Sequence, residues 1–586
     1  MKGVKFSFVF MVLIVVLILL PSIAFAGGKK EETSEPEKEV AAPAPEKEAP
    51  APAKVYKGLI LPDGTKMEPM EILTVTPGAD PTLNQEAVFL AEWWKKLGIP
   101  VKVKAMEKGA LTKQIYWTRE YDAALWYTGG EKYPMYIQYY FTESEIYQYG
   151  WNLMQYVNPE YDKLSSEWLT MLDSEESKKR ADELQRMIAE DNAQIPLISD
   201  TNLTAFNNKT WTGWINQHGG IIGYDSMCTI DPAGGDTEEN LLRIGLLKEP
   251  DMLNPLGTAF TETWAVIGKI YNGGMWNQPT ALYRYAPVDG GMVPFLADGE
   301  IVYDDSVNTA IVNLKKGIKW HDGTELTAKD IKFTVDLIKE FEVPNYKDSV
   351  DFIEKIEVLN NYSLKYYLTE KTSGFFQKTM AMIILQKNKW SKIADESRGK
   401  EEATKYLTQY PIETPMGTGP FKFAEWKKGA YILLEKNQDW FFEGQTLPMG
   451  NGKLTYDLKV DKILFKLYAS SETRIMALKN GDIDICTIPA ASKDDFEKNS
   501  DMTILEWGND WVDFIAFNCT KAPFSDPAFR KALNYLIDRE FFVDKLQHGY
   551  AIPQYTVVPA ANEFWSYTGC PTYGKGMSME ERIQKA

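Results

Sequence analysis

The stretch from 310 to 339 constrains the fold more than any other part of the chain. Ala310 to Leu314 has the apolar character of the end of a β-strand, and His321–Asp322–Gly323–Thr324 is typical of a tight turn, because Asp-Gly tolerates positive φ. Thr327 then caps a helix, with Asp330 three residues on, where a carboxylate can accept hydrogen bonds from free N–H groups. The sequence therefore predicts a strand, a turn and a capped helix.

His321 and Asp322 resemble a catalytic pair at first sight. Adjacent residues on a tight turn point apart, however, and no nucleophile or third member lies nearby in the sequence. The pair is therefore interpreted as structural. Since no nucleophile–base pair was found in the chain, we reject a secreted hydrolase and predict that the protein is not an enzyme.

Composition narrows the class of protein further. The length of 586 residues is enough for two to four domains, and the net charge of −18 argues against a nucleic-acid partner. The 17 Trp and 31 Tyr exceed what a core needs, and planar side chains suit flexible or sugar-like ligands, although most of these rings will simply pack in cores and interfaces.

Metal ligands are scarce. Four Cys without a CxxC spacing and only three His argue against a zinc or iron–sulfur site, so no cofactor is expected. Disulfides are compatible with an exported protein, but their pairing cannot be read from the sequence.

The N-terminal segment indicates export. Residues 1–26 have two lysines, an apolar run from Phe6 to Leu20 and a small-x-small pattern at Ala24–Phe25–Ala26, as in a cleaved signal peptide. The alternative is an uncleaved membrane anchor, because the run nearly reaches the length that spans a bilayer. Residues 27–57, rich in Pro, Ala, Glu and Lys, are predicted to be a disordered linker. The remainder is therefore expected to be periplasmic or extracellular.

Two folded regions follow. Residues 58–222 alternate predicted strands and helices, which indicates an α/β fold. Residues 241–586 begin with a buried strand and contain the stretch described first. Between them, residues 223–240 are polar, with Asp231–Pro232–Ala233–Gly234–Gly235, and are predicted to be a surface tether.

Several strings in the second region resemble the family 5 solute-binding proteins of ABC importers, which bind peptides, nickel or oligosaccharides. The match is specific because the motifs are many and stand in the family's usual order. They are Leu253–Asn254–Pro255–Leu256, Trp320–His321–Asp322–Gly323, Gly417–Thr418–Gly419–Pro420, Asn480–Gly481–Asp482–Ile483–Asp484, Ala516–Phe517–Asn518, Pro523–Phe524–Ser525–Asp526 and Arg530–Lys531–Ala532–Leu533.

Strings in the first region resemble the later part of the same family. They are Leu61–Pro62–Asp63–Gly64, Trp94–Lys95–Lys96–Leu97–Gly98–Ile99, Tyr121–Asp122–Ala123–Ala124, Asn158–Pro159–Glu160–Tyr161–Asp162 and Ile195–Pro196–Leu197. The family order is therefore predicted to be circularly permuted, with 223–240 joining the old termini. The alternative is two incomplete tandem copies. Permutation requires the strands predicted at 71–76, 122–127 and 514–518 to share one sheet.

The resemblance implies a periplasmic-binding-protein-like α/β fold of type II, cluster C, with two lobes that close by a hinge. Residues 241–510 would form lobe I, with 204–222 returning to it. Residues 58–203 and 511–586 would together form lobe II.

Candidate ligand contacts follow from position in that fold. In peptide-binding relatives an Asp just after the strand at 122–127 pairs with the peptide's α-amino group. Here Gly129–Gly130–Glu131 takes its place, so Glu131 is the possible substitute. The candidates are Trp126, Tyr127, Gly129, Glu131, Tyr133, Trp264, Trp276, Asn277, Thr418, Trp507, Trp511 and Asp513.

The resemblance implies a receptor that captures peptides and delivers them to a membrane permease and its ATPase subunits, as a monomer without a bound metal. An oligosaccharide receptor of the same family is the first alternative, favoured by the many Trp and the missing Asp. A ligand sensor or chaperone-like binding protein not coupled to transport is the alternative from another class.

Overall fold

A computed structural model of the chain describes residues 59–60, 64–130, 133–147, 150–171, 174–216, 220–234, 240–258, 260–272, 281–286, 292–449 and 452–586. The predicted signal peptide at 1–26 and linker at 27–57 lie outside these residues. Across the described ranges, no helix combines the length and the apolar character needed to cross a membrane.

The strands are numbered in chain order. They are β1 (Met70–Val75), β2 (Val101–Met106), β3 (Ala123–Gly129), β4 (Gln194–Pro196), β5 (Ile198–Asn207), β6 (Trp211–Thr212), β7 (Asp231–Pro232), β8 (Leu241–Leu246), β9 (Tyr283–Tyr285), β10 (Met292–Pro294), β11 (Val302–Asp304), β12 (Thr309–Asn313), β13 (Ile353–Asn360), β14 (Ser363–Leu368), β15 (Phe421–Lys427), β16 (Tyr431–Lys436), β17 (Thr446–Met449), β18 (Gly452–Thr455), β19 (Lys462–Leu467), β20 (Ile485–Ile488), β21 (Met502–Gly508), β22 (Trp511–Phe517) and β23 (Ala551–Pro553).

The helices are numbered in the same way. They are α1 (Pro81–Lys95), α2 (Lys108–Thr112), α3 (Tyr136–Tyr139), α4 (Pro159–Leu169), α5 (Ser174–Asp191), α6 (Tyr224–Met227), α7 (Thr261–Tyr271), α8 (Ala328–Phe341), α9 (Lys387–Arg398), α10 (Ala403–Thr408), α11 (Ser471–Lys479), α12 (Lys493–Glu497), α13 (Pro527–Tyr535), α14 (Arg539–Phe541) and α15 (Met579–Lys585). Single π-helical turns follow at Lys113–Thr118, Phe375–Thr379 and Phe542–Leu546.

Two large sheets organise the fold. The first has the order β2-β1-β3-β22-β4, with β1 parallel to β2 and β3, and β22 antiparallel to β3 and β4. It contains all three stretches that the sequence predicts to share a sheet, because β1, β3 and β22 cover them. The second sheet has the order β15-β16-β19-β8-β20-β5-β21, and β23 pairs with β5.

The buried hydrophobic residues of the described chain form two large cores and a smaller cluster around β20 and α11. One, here called the terminal core, draws buried residues from 67–198 and from 514–565, the two ends of the described chain. The other, the middle core, draws on 206–485 and includes the antiparallel sheet β11-β12-β14-β13. Mixed α/β structure with two cores agrees with the predicted fold class.

The chain passes between the two cores at β5 and again between β21 and β22. The first residues of β5 pair with β23, whereas its later residues pair with β20 and β21. At the second passage, the Asn509 N–H donates to the Asp200 carbonyl at 2.8 Å, and the Ser199 hydroxyl donates to the Asn509 carbonyl at 3.0 Å. These hydrogen bonds hold the two passages side by side, which is the arrangement of a hinge.

The main difference from the sequence prediction lies in residues 223–240, which were expected to form a surface tether. Residues 224–230 fold into α6 and its flank, and most of their side chains are buried in the middle core. Asp225 is 3% exposed and its carboxylate accepts two hydrogen bonds from the Arg284 guanidinium, at 2.6 and 2.8 Å. The expectation that this segment lies on the surface is therefore wrong for 224–230, because the composition did not reveal the buried cation that receives Asp225.

The stretch that opened the sequence analysis folds as predicted. β12 leads through a turn to α8, and the Asp330 carboxylate accepts hydrogen bonds from the Thr327 N–H at 2.9 Å and the Thr327 hydroxyl at 3.1 Å. These hydrogen bonds to the Asp330 carboxylate cap the first turn of α8.

Candidate functional site

The candidate site lies at one edge of the five-stranded sheet. The parallel strands β1 and β3 end there, and the antiparallel strand β22 begins there. Tyr127 pairs with Asp513, and Gly129 pairs with Trp511, so four predicted ligand contacts are cross-strand neighbours. In α/β sheets, ligands bind outside the carboxyl ends of the parallel strands. The edge also adjoins the hinge, because β22 follows the second passage between the cores.

Three aromatic side chains are in contact at this edge. The Trp126 and Tyr127 rings stack with centroids 5.0 Å apart, and the Trp511 ring meets Tyr127 edge-on at 5.4 Å. The Lys108 ammonium lies 5.0 Å from the Tyr127 ring centroid and donates a hydrogen bond to the Tyr127 hydroxyl. Tyr127 and Trp511 are only partly buried, so they offer ring surface that a ligand can contact.

The row of rings continues beyond the predicted residues. Tyr116 contacts both Trp126, at 6.4 Å, and Trp151, at 5.9 Å. Trp151 is 46% exposed and also contacts the Tyr139 and Tyr140 rings. Sequence reasoning missed these residues, because they lie in loops and short helical turns without a period that would indicate a common surface.

Gly129 has a structural reason to be glycine. Its φ is +127°, and a Cβ at this position would lie 2.0 Å from the Asp510 carbonyl oxygen. The next N–H, of Gly130, donates to the same carbonyl at 2.8 Å. The close approach of these two backbones places the end of β3 directly against the hinge passage.

Tyr133 connects the two cores. Its ring stacks on Trp168 at 5.1 Å and meets Trp565 edge-on at 5.0 Å, all in the terminal core. Its hydroxyl donates a 3.1 Å hydrogen bond to the Ser373 hydroxyl, in the segment just before the π-helical turn Phe375–Thr379 of the middle core. With 5% of its surface exposed, Tyr133 joins the cores.

Trp507 lies in β21, just before the second hinge passage. Its indole N–H donates to the Thr204 hydroxyl at 3.2 Å, and its ring packs so closely on Gly220 that a Cβ there would lie 2.7 Å away. Trp507 is therefore close in sequence to Trp511, but its side chain packs against the sheet that contains β5 and β21.

Trp264 and Thr418 lie apart from that edge, inside the middle core. Trp264 is 1% exposed on α7, and the Thr418 hydroxyl accepts a 3.0 Å hydrogen bond from the Asn272 amide. The backbone at Thr418 packs against the end of α7, where a Cβ on Gly417 would lie 1.8 Å from the Ile270 carbonyl. The ligand contacts predicted for both remain predictions, as do those of Glu131, Trp276 and Asn277, which lie outside the described residues.

Asp513 belongs to a group of four carboxylates, here called the acid cluster: Asp80, Glu86, Asp200 and Asp513. Burial, together with the negative charges of Asp200 and Asp80, raises the pKa of Asp513 well above its usual range. Burial raises the pKa of Glu86 in the same way, with further contributions from the other three carboxylates. For Asp200, burial and Asp80 raise the pKa to about 6.

Sequence reasoning identified only Asp513 of the acid cluster. A signal for Glu86 did exist, since it lies within the apolar stripe of α1 formed by Leu83, Ala87 and Leu90. A carboxylate in the buried stripe of a helix is unusual and warrants a search for its partner.

His321 and Asp322, the adjacent polar pair in the turn before α8, have a structural role. Burial lowers the pKa of His321 to about 4, and its Nε2–H donates to the Gly419 carbonyl at 3.1 Å. The Asp322 carboxylate instead accepts hydrogen bonds from Thr324 and from the Gln386 amide. The two side chains therefore bind different partners, as predicted for a turn rather than a catalytic pair.

Comparison with known families and proteins gives the following matches. The profile of the bacterial extracellular solute-binding proteins, family 5 Middle, matches residues 291–586. The oligopeptide-binding protein AppA of Bacillus subtilis is 29% identical over 279 residues, which cover 46% of this chain and 45% of AppA. The glutathione-binding protein GsiB of Escherichia coli is 29% identical over 276 residues, which cover 45% of this chain and 47% of GsiB. The chain thus spans about half the length of the curated relatives it matches.

Solved structures give partial matches as well. AppA of Bacillus subtilis in complex with a nonapeptide is 25% identical, with a TM-score of 0.40 over 53% of this chain and 56% of that one. DppA of Helicobacter pylori in complex with the peptide STSA is 21% identical, with a TM-score of 0.42 over 59% of this chain and 65% of that one.

Proposed function

The chain belongs to the bacterial extracellular solute-binding proteins of family 5, and we propose that it is the extracytoplasmic receptor of an ABC importer, capturing peptides between two closing lobes. In this proposal it delivers the peptide to a membrane permease and its ATPase subunits. It acts as a monomer and forms no covalent bond with its ligand. Its affinity comes from burying the ligand and satisfying the ligand's polar groups.

One observation carries the proposal: partly buried aromatic and acidic side chains gather where two cores meet at a double-stranded hinge. Tyr127 and Trp511 lie at the sheet edge beside the passage from β21 to β22. The hydrogen bond from Tyr133 to Ser373 also links the two cores. A ligand bound here contacts both cores and thereby favours closure.

Peptides are the preferred ligand class because the relatives named above bind an oligopeptide and glutathione by their names. The aromatic row from Trp511 through Trp126 to Trp151 favours oligosaccharides as a second candidate, since ring faces stack on sugars. A sensor or chaperone-like role without transport is the third.

We also propose that the family order is circularly permuted. The single sheet formed by β1, β3 and β22 supports this proposal, because tandem incomplete copies would not require the two ends of the described chain to share a sheet. The same sheet supports a lobe II assembled from 58–203 and 511–586, and a lobe I from 241–510.

Ligand binding to the full chain tests the receptor proposal. We expect a rise in melting temperature with mixed-sequence peptide pools of three to five residues, and a smaller rise or none with β-linked oligosaccharides. Replacing Trp511 by Ala is expected to weaken binding about tenfold or more, as for a central aromatic contact. Isothermal titration calorimetry measures both effects.

Trp426 provides a matched control, since it lies in β15, at the opposite edge of its sheet from the hinge strand β21, and its indole N–H donates to Glu249. Trp426→Ala is expected to leave the peptide affinity unchanged. A chain that folds but binds neither peptides nor oligosaccharides contradicts the importer proposal. Preferential binding of oligosaccharides replaces the first candidate with the second.

A further inference from the structure

The two cores meet at a second place, which does not involve the hinge passages. Residues 133–147, which follow β3, interact there with residues of the middle core at 347–349 and 373–379. None of these residues belongs to β5 or to the passage between β21 and β22, where the chain crosses from one core to the other. Noncovalent interactions alone therefore hold the cores together at this place.

Two attractive side-chain contacts cross between the cores. The Tyr133 hydroxyl donates a hydrogen bond to the Ser373 hydroxyl at 3.1 Å. The Lys378 ammonium lies 5.6 Å from the centroid of the Tyr139 ring, which is within the range of a cation–π interaction. The Lys378 side chain is 19% exposed and lies 3.9 Å from Asp348 of its own core. Because its ammonium is partly shielded from water, the attraction to the ring is stronger than at a fully exposed site.

Two like charges face each other across the same contact. Glu145 lies in the short 3-10 turn after α3, and Asp348 lies in the 3-10 turn Lys347–Ser349 of the middle core. Burial raises the pKa of the half-buried Glu145, and the negative charge of Asp348 raises it further. Burial also raises the pKa of Tyr147, with Glu145 and Asp348 adding to the effect. Asp348 therefore acts on a segment of the other core, and its repulsion of Glu145 opposes the two attractive contacts.

Each side of this contact is fixed within its own core. On one side, the Arg119 guanidinium donates hydrogen bonds to the Glu145 carbonyl at 3.3 Å and to the Tyr147 carbonyl at 2.7 Å. On the other side, the Thr379 hydroxyl donates to the Ser349 carbonyl at 2.6 Å and so joins two successive turns. Two fixed surfaces keep their mutual contacts at one relative position of the cores and lose them when the cores rotate apart.

We propose that this second contact is a latch, which stabilises the closed arrangement of the two cores independently of the ligand and thereby raises the affinity of the receptor. The latch consists of three side chains from each core: Tyr133, Tyr139 and Glu145 from one, and Ser373, Lys378 and Asp348 from the other. This inference rests on the proposed function as a receptor that closes on its ligand.

The latch acts on affinity through the closing equilibrium. A ligand that binds the closed arrangement has to supply less free energy when contacts within the protein already favour that arrangement. The repulsion between Glu145 and Asp348 limits this preference, so the cores can still separate to admit or release the ligand. Latch residues therefore change the affinity without touching the ligand.

Two substitutions loosen the latch. Lys378→Met removes the cation beside the Tyr139 ring but keeps an unbranched side chain, and Ser373→Ala removes the hydroxyl that accepts the Tyr133 hydrogen bond. We expect the double variant to raise the radius of gyration of the full chain without ligand, measured by small-angle X-ray scattering. We also expect it to bind mixed-sequence peptide pools of three to five residues roughly tenfold more weakly, measured by isothermal titration calorimetry.

A third substitution tightens the latch. Glu145→Gln removes the repulsion by Asp348 and keeps an oxygen that can accept the 3.3 Å hydrogen bond from the Trp151 N–H. When it is added to the double variant, we expect the radius of gyration to fall and the affinity to recover roughly two- to threefold. Removing a charge would not reverse general damage to the fold, so this recovery distinguishes a latch from a purely structural contact.

Lys371→Met and Glu143→Gln are the matched controls. Lys371 pairs with Asp305 at 2.9 Å, and both residues lie in the part of the chain that forms the middle core. The charge of Glu143 acts on Asp162, in α4 of its own core. Each control removes a charge of the same sign from the same segment without removing a latch residue, so we expect both measurements to stay unchanged.

The outcomes separate the latch from the receptor proposal. If the double variant and the unaltered chain bind the peptide pools equally and have the same radius of gyration, the receptor stands and the latch is overturned. The latch is also overturned if Glu145→Gln recovers neither quantity in the double variant. If no pool binds the unaltered chain, the receptor proposal fails, and the radius of gyration alone then decides for or against the latch.

Discussion

Two buried carboxylates show opposite ways in which this chain places a negative charge away from water. Asp225, in the middle core, is paired with the buried Arg284 guanidinium and also accepts a hydrogen bond from the Tyr456 hydroxyl. Among the described residues, the buried Glu86 carboxylate has no hydrogen-bond partner, and the charges that raise its pKa are those of other carboxylates. The first charge is paired with a cation inside the protein, whereas the second has no cation beside it among the described residues.

The difference separates a charge that is paired inside the protein from a charge that has no cation beside it among the described residues. Removing either partner of a buried, hydrogen-bonded ion pair destabilises the folded protein, because the other charge is left buried without a counter-ion. A buried carboxylate without a partner already destabilises the free protein, so its removal should stabilise the fold. The same substitution at the two positions therefore has opposite expected signs.

Asp225→Leu gives the largest expected effect. It leaves the Arg284 guanidinium buried without its counter-ion, which should lower the free energy of unfolding by about 3–5 kcal/mol. Urea denaturation followed by circular dichroism measures this loss. The double variant Asp225→Leu/Arg284→Met should recover much of it, because both charges are then absent. A loss below about 1 kcal/mol in the single variant would contradict the structural role of the pair.

Glu86→Leu is expected to act in the other direction. It removes a buried, unpartnered carboxylate from the apolar stripe of α1 and should raise the free energy of unfolding by about 1–3 kcal/mol near neutral pH. The same denaturation experiment measures the gain, with Glu92→Leu on the exposed face of the helix as a control that changes stability little. Destabilisation by Glu86→Leu would mean that the chain supplies a partner for this carboxylate after all.

The pH dependence of stability sharpens the comparison at Asp200. Its pKa is about 6 in the folded chain, above the usual value of about 3.9 for an unfolded aspartate. The folded state therefore binds more protons between these pH values, and the stability that Asp200 contributes below about pH 4 is lost as the pH rises through 6.

Asp200→Asn should remove this loss while keeping an oxygen that accepts the Gln547 hydrogen bond. We expect its stability relative to the unaltered chain to increase by about 1–2 kcal/mol between pH 4 and pH 6. Thermal denaturation across this range measures the difference. His321, whose pKa is lowered to about 4, acts in the opposite direction in both proteins and cancels in the comparison. A constant difference would contradict the raised pKa of Asp200.

Tyr133→Phe gives the smallest expected effect. It removes only the neutral hydrogen bond to Ser373 between the cores, which should cost about 0.5–1.5 kcal/mol, well below the loss at Asp225. Ser373→Ala and the double variant complete a thermodynamic cycle that isolates the bond. A loss as large as that of Asp225→Leu would mean that contact between the cores matters as much as the paired charge inside one of them.

Much of the fold could be predicted because its signals are local. The turn at Asp322–Gly323, the cap at Thr327 and the strands β1 and β3 depend on residues close together in sequence, and the structure contains them near the predicted positions. The motif order also predicted that β1, β3 and β22 share one sheet, which they do. The composition of 224–230 predicted a surface segment, which is wrong because Asp225 is buried in an ion pair with Arg284, far along the chain.

The candidate site was predictable only in part, because some of its contacts join segments that lie far apart in the sequence. The sequence by itself determined that Tyr127, Gly129 and the hinge residues Trp511 and Asp513 lie near strand ends, since strand position follows from local pattern. It did not determine that Glu86 and Asp200 face Asp513. Only the tertiary structure decided this, because the pairing of β22 with β3 and the path of β5 bring distant segments together. Burial there leaves the Glu86 carboxylate without a hydrogen-bond partner among the described residues.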